Sequence, residues 1–126
     1  MTAVDRCREA IETTSIGGAE VFAPDAPVEA TVPHWRFTVV GDGAKRTESA
    51  KWYADKGQFD ELTRSPLAEG EVVSYTLSWE QNGIPHACHQ VHVLTVSDDL
   101  IVADRVWCGG RWPADLLAER EATARA

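Results

Sequence analysis

The sequence predicts an α+β fold in which helices come first and a long antiparallel meander follows. Three observations carry this. The N-terminal segment spaces its apolar residues as a helix does. From Glu71 the pattern changes to a strict period of two. Two turn signals, Asn82-Gly83 and Asp98-Asp99, then divide the second half of the chain into strands.

The elements follow in order. Ala3 to Thr13 places Val4, Cys7 and Ile11 at helical spacing, which gives a short amphipathic helix. A second short helix is expected from Ile16 to Phe22, weakened by Gly17 and Gly18. In "FAPDAPVEATVP" the prolines Pro24 and Pro27 break any helix, and Val28 to Val32 reads as an extended edge strand. A short strand beginning near His34 leads to a Gly-Asp-Gly turn and a helix from about Ala44 to Lys56, with Gly57 as its stop. Its apolar face, Ala44, Ala50, Trp52, Tyr53 and Ala54, is expected to pack on a sheet. "EVVSYTLSWE" alternates cleanly, and Asn82-Gly83 is a two-residue hairpin signal, because a type I′ turn needs positive φ at both positions. Strands from Ile84 to Val96 and from Leu100 to Trp107 complete the meander. Pro113 opens a last helix or tail over about 113–126.

The chain of 126 residues, 44% hydrophobic and 25% charged, suits a single domain that buries its own core without a disulfide or structural metal. A net charge of −8 with no basic stretch argues against a nucleic-acid partner. Cys7, Cys88 and Cys108 form no disulfide framework. No signal peptide is recognisable, and no run approaches the about 18 apolar residues of a membrane span. A cytoplasmic protein with no membrane partner and no cofactor is expected.

Three stretches resemble the SnoaL-like branch of the nuclear-transport-factor-2-like superfamily. They are "EVFAPDAPVEATVP", "VVGDGAKRTESAKWYAD" and "VHVLTVSDDLIVADRVW", and their order and spacing span roughly Thr13 to Trp112. The resemblance implies a cone: a strongly curved antiparallel sheet whose concave face, closed by the N-terminal helices, holds a pocket. Relatives of this kind include dehydratases, ketosteroid-type isomerases, epoxide hydrolases, polyketide cyclases and non-catalytic binding or assembly domains, so fold alone does not choose function. Enzymatic branches often end the last strand with an aromatic residue and then an Asp. Here Trp107 is followed by Cys108, Gly109 and Gly110.

The hairpin turns allow a register argument. With Asn82-Gly83 as the turn, Trp79 lies opposite His86, Leu77 opposite Cys88, Tyr75 opposite Gln90 and Val73 opposite His92. With Asp98-Asp99 as the next turn, Leu94 lies opposite Ala103, His92 opposite Arg105, Gln90 opposite Trp107 and His86 opposite Arg111. Cross-strand partners share a face. One face therefore collects Val73, Tyr75, Leu77, Trp79, His86, Cys88, Gln90, His92, Leu94, Ala103, Arg105 and Trp107, and its larger side chains make it the concave one. His89, Asp104 and Cys108 fall on the other. A one-residue slip would exchange the faces of a whole strand.

This geometry dissolves the apparent metal motif in "GIPHACHQVHV". His86 and His92 share a face but stand about 20 Å apart along the strand, whereas zinc needs its ligand atoms about 2 Å from one point. His89 points the other way. No metal is expected. His92 is the candidate general acid or base, since a neutral imidazole titrates near neutrality, with Tyr75 and Arg105 as catalytic partners. Arg105 offers a fixed donor fork for an anionic or carbonyl oxygen. Gln90, Trp79, Trp107, Trp35, Trp52, His34 and His86 are candidate ligand contacts, four of them an aromatic wall. Each also has a structural alternative: a buried histidine satisfied by Gln90 or Tyr75, a salt bridge for Arg105, ordinary packing for the tryptophans. Three functions stay open: a domain that binds a small hydrophobic molecule, a cofactor-independent isomerase, dehydratase or cyclase acting through His92, and a homodimeric interaction module using the outer sheet face.

Overall fold

The computed structural model describes residues 2–13, 15–16 and 20–125. Helix α1 spans Ala3–Glu12, strands β1 Val28–Val32 and β2 Trp35–Val39, helix α2 Asp42–Trp52, strands β3 Gly57–Leu67, β4 Gly70–Gln81, β5 Ile84–Ser97, β6 Leu100–Cys108 and β7 Trp112–Pro113, and helix α3 Ala114–Arg125. The strands form one seven-stranded sheet in the order β2-β1-β6-β5-β4-β3, with β7 paired to β5.

The helix α1 forms where the spacing predicts it. Thr2 and Asp5 build a reciprocal capping box, with the Thr2 hydroxyl accepting from the Asp5 amide at 3.2 Å and the Thr2 amide donating back at 2.9 Å. Its apolar face, Ala3, Val4, Ala10 and Ile11, is buried against the sheet together with Tyr75, Leu77, Leu94 and Ile101. Two arginines fix its angle. Arg6 reaches the β5–β6 turn at Asp99 (2.9 Å), and Arg64 of β3 bonds Asp5 while gripping Glu71 with two bonds of 2.8 Å.

The expected helix from Ile16 to Phe22 falls partly outside the described residues; Ile16 forms a 3₁₀ turn and Phe22 a bridge to Ile101. Val28–Val32 is a strand but not an edge. It runs parallel to β6 and antiparallel to β2, which takes the edge instead. The sheet is therefore mixed rather than a pure meander. The helix α2 begins two residues earlier than expected and stops at Trp52, so Ala54 to Lys56 are not helical. The early stop turns the Tyr53 ring into the core, where it is buried. Strand β3 is absent from the sequence reading, because a bulge interrupts its alternation: Glu61 has φ 51° and the register shifts between Asp60 and Thr63.

The β4–β5 register is the one the Asn82-Gly83 turn dictates. Trp79 faces His86, Leu77 faces Cys88, Tyr75 faces Gln90 and Val73 faces His92, with positive φ at Asn82 (54°) and Gly83 (75°). The β5–β6 register differs. Ser97 pairs Leu100 and Val96 pairs Ile101, but Thr95 then pairs Ala103. Val102 is the extra residue of a β-bulge, and beyond it every β6 side chain changes face. His92 lies opposite Val106, not Arg105; Gln90 opposite Cys108, not Trp107; Leu94 opposite Asp104, not Ala103. His86 pairs Pro113, not Arg111. Asp104, Val106 and Cys108 thus join the concave side, and Arg105 and Trp107 leave it.

Candidate functional site

Two strands place the central residue. His92 lies on β5, diagonal to Tyr75 on β4 and to Asp104 on β6, so three neighbouring strands present one polar group each to the same spot. The His92 Nδ1 stands 2.9 and 3.1 Å from the two carboxylate oxygens of Asp104. A carboxylate only accepts, so Nδ1 carries the proton and the tautomer is fixed. The other ring nitrogen, Nε2, lies 2.9 Å from the Tyr75 hydroxyl and 3.3 Å from Gln90 Oε1. Tyr75 also donates to Gln90 Oε1, and Tyr53 donates to the same oxygen at 3.0 Å.

This network accommodates either charge state of His92. With a neutral ring, the Tyr75 proton points to Nε2. With a protonated ring, Nε2–H donates to the tyrosine oxygen and the Tyr75 proton turns to Gln90. One hydroxyl rotation is the whole adjustment, because a phenol both donates and accepts. Burial pushes the Tyr53 and Tyr75 phenols well above the usual tyrosine range, so both remain O–H donors. Gln90 and Asp104 are each 4% exposed, which makes the network expensive to leave half satisfied.

His92, Asp104, Tyr75 and Tyr53 line a cavity that opens to solvent. The rest of its wall is mainly apolar: Val4, Ile11, Phe22, Val28, Phe37, Trp52, Phe59, Val73, Leu94 and Val106 among others. A mostly apolar cup with a few convergent polar groups is the usual form of a small-molecule site. Lys45 is part of the wall but not a free charge. Its ammonium, 2% exposed at residue level, donates to the carbonyls of Ala23 (2.7 Å), Pro24 (3.0 Å) and Ala26 (2.6 Å), pinning that turn under α2. Burial pulls its pKa down. Cys7, another wall residue, is pushed up to about 12 by burial and stays an inert thiol.

A second cavity adjoins the first across Phe37, Trp52 and Tyr53. Leu77, Trp79, Cys88, Gln90, Cys108 and Arg111 line it. Gln90 links this cavity to the tyrosines of the first: its oxygen takes the tyrosine hydroxyls and its nitrogen donates to Cys108 Sγ at 3.4 Å.

The residues singled out from sequence scatter. His92, Tyr75 and Gln90 are in direct contact, and Trp52 and Trp79 line cavities. Arg105 is exposed on the outer face, its guanidinium 5.1 Å above the Trp107 ring, so neither reaches His92. Trp35 is 69% exposed at the start of the edge strand, and His34 sits with φ 66° in the β1–β2 turn. His86 stacks on Trp79 (5.8 Å, 22°) and lines neither cavity. His89 faces outward, bonded to Thr76 at 2.8 Å. The sequence reading missed Asp104, placed outside by the unbulged register. It also missed Phe37, two residues along the strand from Trp35, and Tyr53, read as helix face.

No protein-family model matches the chain, and no curated protein matches it. Solved structures do. A hypothetical protein from Catenulispora acidiphila with a ketosteroid isomerase-like fold, in complex with trimethylamine, superposes with a TM-score of 0.64 at 14% identity over 85% of each chain. A candidate isomerase from Bacillus subtilis gives 0.67 at 14% identity, over 86% of this chain and 90% of the other. An LEH-like epoxide hydrolase of M. tuberculosis gives 0.61 at 13% identity, over 84% and 79%. The chain therefore has the nuclear-transport-factor-2-like, ketosteroid isomerase-like α+β cone fold.

Proposed function

We propose that the cavity beside His92 binds a small, mostly apolar molecule bearing a carbonyl oxygen, and that His92 moves a proton on it. Asp104 positions the imidazole, and Tyr75 presents its hydroxyl between His92 and the ligand oxygen. The observation that carries this reading is the Asp104–His92–Tyr75 chain, with contacts of 2.9 Å on each side of the ring, set into an apolar wall. A proton donor and acceptor in one chain can protonate an oxygen and deprotonate a carbon next to it, the elementary steps of isomerisation, dehydration and cyclisation. Isomerases, cyclases and an epoxide hydrolase are among the descriptions of proteins sharing the fold, and one neighbour was crystallised with trimethylamine. Both facts support a small-molecule cup. No cofactor is required for a proton transfer of this kind.

The test uses neutral cyclic ketones as probes. Hydrogen–deuterium exchange at the α-carbon, followed by NMR in D₂O, reads proton transfer whatever the natural product is. Binding is read separately by thermal shift. Wild-type protein exchanges the α-protons, and His92→Gln binds the same ketones without exchanging them. Stabilisation by ketones with no exchange in the wild type would leave a binding domain, and neither binding nor exchange would sink the reading.

A homodimer through the outer sheet face is the second reading. Val91, 39% exposed in the middle of β5, supports it, with Trp107 as its neighbour on β6. Light scattering at micromolar concentration tests it, and a monomer there counts against it.

A further inference from the structure

The second cavity holds two cysteines on neighbouring strands that proton transfer at His92 does not use. Cys108 sits on β6 opposite Gln90, and Cys88 lies two residues before Gln90 on the same face, so the thiols are diagonal neighbours. Two donors converge on Cys108 Sγ, with the Cys88 thiol close by on the neighbouring strand. Gln90 Nε2 and the Gly110 amide each lie 3.4 Å away. A thiol sulfur needs no such set of donors; a thiolate does. Gln90 is buried and its amide oxygen accepts from the Tyr53 hydroxyl at 3.0 Å whatever the state of His92, which keeps its N–H₂ aimed at the sulfur.

We propose that Cys108 is a nucleophilic thiolate that captures soft electrophiles of the α,β-unsaturated carbonyl class in this second cavity, with Arg111 receiving the carbonyl oxygen. The wall suits such a ligand: Leu77, Trp79 and Trp52 are apolar, and the Arg111 guanidinium lies 5.9 Å over the Trp79 ring beside them. In the reaction the sulfur lone pair forms a C–S bond to the β-carbon. The C=C π pair shifts to the α-carbon, and its charge is spread to the carbonyl oxygen facing Arg111. The α-carbon then takes a proton from solvent, leaving a thioether and a saturated carbonyl, with no change of oxidation state that needs another reactant. The hydrogen bond from Cys88, aided by Gln90 and Gly110, pulls Cys108 down to about 5 against the opposing effect of burial, while Cys88 is pushed up because it keeps the shared proton.

The experiment is alkylation of the 126-residue chain, followed by mass spectrometry, with iodoacetamide and 2-cyclohexen-1-one from pH 5 to 9. Cys108 is expected to be the first site modified by both reagents. Its rate at pH 6 is expected within about twofold of that at pH 8, where an ordinary thiol slows roughly 100-fold. Cys88→Ala, which removes a donor, lowers the pH 6 rate at least about tenfold, whereas Cys88→Ser, which keeps one, changes it less. Arg111→Gln slows the enone at least about fivefold without changing the iodoacetamide rate. If Cys88→Ala does not fold, the wild-type pH profile and the serine variant carry the test alone. An ordinary-thiol pH profile, modification of Cys7 or Cys88 before Cys108, or reaction with iodoacetamide but not the enone each overturns the proposal. Equal slowing of both reagents by Arg111→Gln overturns the role of Arg111 and with it the carbonyl specificity. None of these outcomes depends on proton transfer at His92.

Discussion

Replacing Asp104 by Asn tests the reasoning at its centre. The carboxylate makes two contacts to His92 Nδ1, at 2.9 and 3.1 Å, on a residue 4% exposed. An asparagine of the same shape keeps at most one neutral hydrogen bond to that nitrogen. It can also present its N–H₂ and force the proton to Nε2, where it meets Tyr75. Exchanging a charge-assisted bond, worth about 1.5–3 kcal/mol, for a neutral one near 1 kcal/mol costs about 0.5–2 kcal/mol. In a domain of this size that is a fall in melting temperature of roughly 2–8 °C. If the full cost also appears in the transition state of proton transfer, the exchange rate drops by about 2–30-fold. The assay is direct. Two-dimensional ¹H–¹⁵N NMR of the imidazole reports which nitrogen is protonated, differential scanning calorimetry gives the stability, and α-proton exchange gives the rate. An Nε2-protonated wild-type ring, or an asparagine variant with unchanged tautomer, stability and rate, would falsify the role assigned to Asp104.

Two further outcomes follow from the same structure. Deleting Val102 removes the bulge and returns β6 to the plain register, which turns Asp104 and Val106 outward and brings Arg105 into the cup. Burying an unpaired guanidinium costs several kcal/mol, so the deletion variant should be unfolded or melt far below wild type by circular dichroism; an unchanged melting curve would refute the bulge. Acid should weaken the clamps on α1. Hydrogen bonds within the capping box and from Arg64 hold the Asp5 carboxyl well below the usual carboxylate range, and Arg6 lowers that of Asp99. Because the folded pKa is the lower one, this stabilisation is complete above about 4 and is lost as pH falls through the folded values. Melting temperature is therefore expected to fall from pH 5 to pH 2, and to fall less steeply in the double variant Asp5→Asn and Asp99→Asn; parallel slopes would refute it.

The fold was legible wherever local chemistry was unambiguous. The capping-box helix at Ala3 and the Asn82-Gly83 hairpin follow from residues within a few positions of one another, and the hairpin set the whole β4–β5 register correctly. What could not be read had non-local causes. Val28–Val32 looks like an edge because of its prolines, yet β2 folds back to cover it and β6 takes its other side. The strand Gly57–Leu67 is hidden by its bulge at Glu61, which breaks the period on which strand recognition depends.

The site shows the same division more sharply. The sequence by itself determined that Tyr75, Gln90 and His92 share the concave face, because side chains alternate along a strand and a two-residue turn sets the pairing. It also determined that the three histidines do not form one cluster. Only the tertiary structure decided which face of β6 meets them. The bulge at Val102 lets Ile101, before it, and Asp104 and Val106, beyond it, all point into the buried side of the sheet. No residue near Val102 signals it. That single inserted residue exchanges Arg105 for Asp104 beside His92, and Trp107 for Cys108 beside Gln90. It thereby gives the imidazole a carboxylate and the second cavity a thiol.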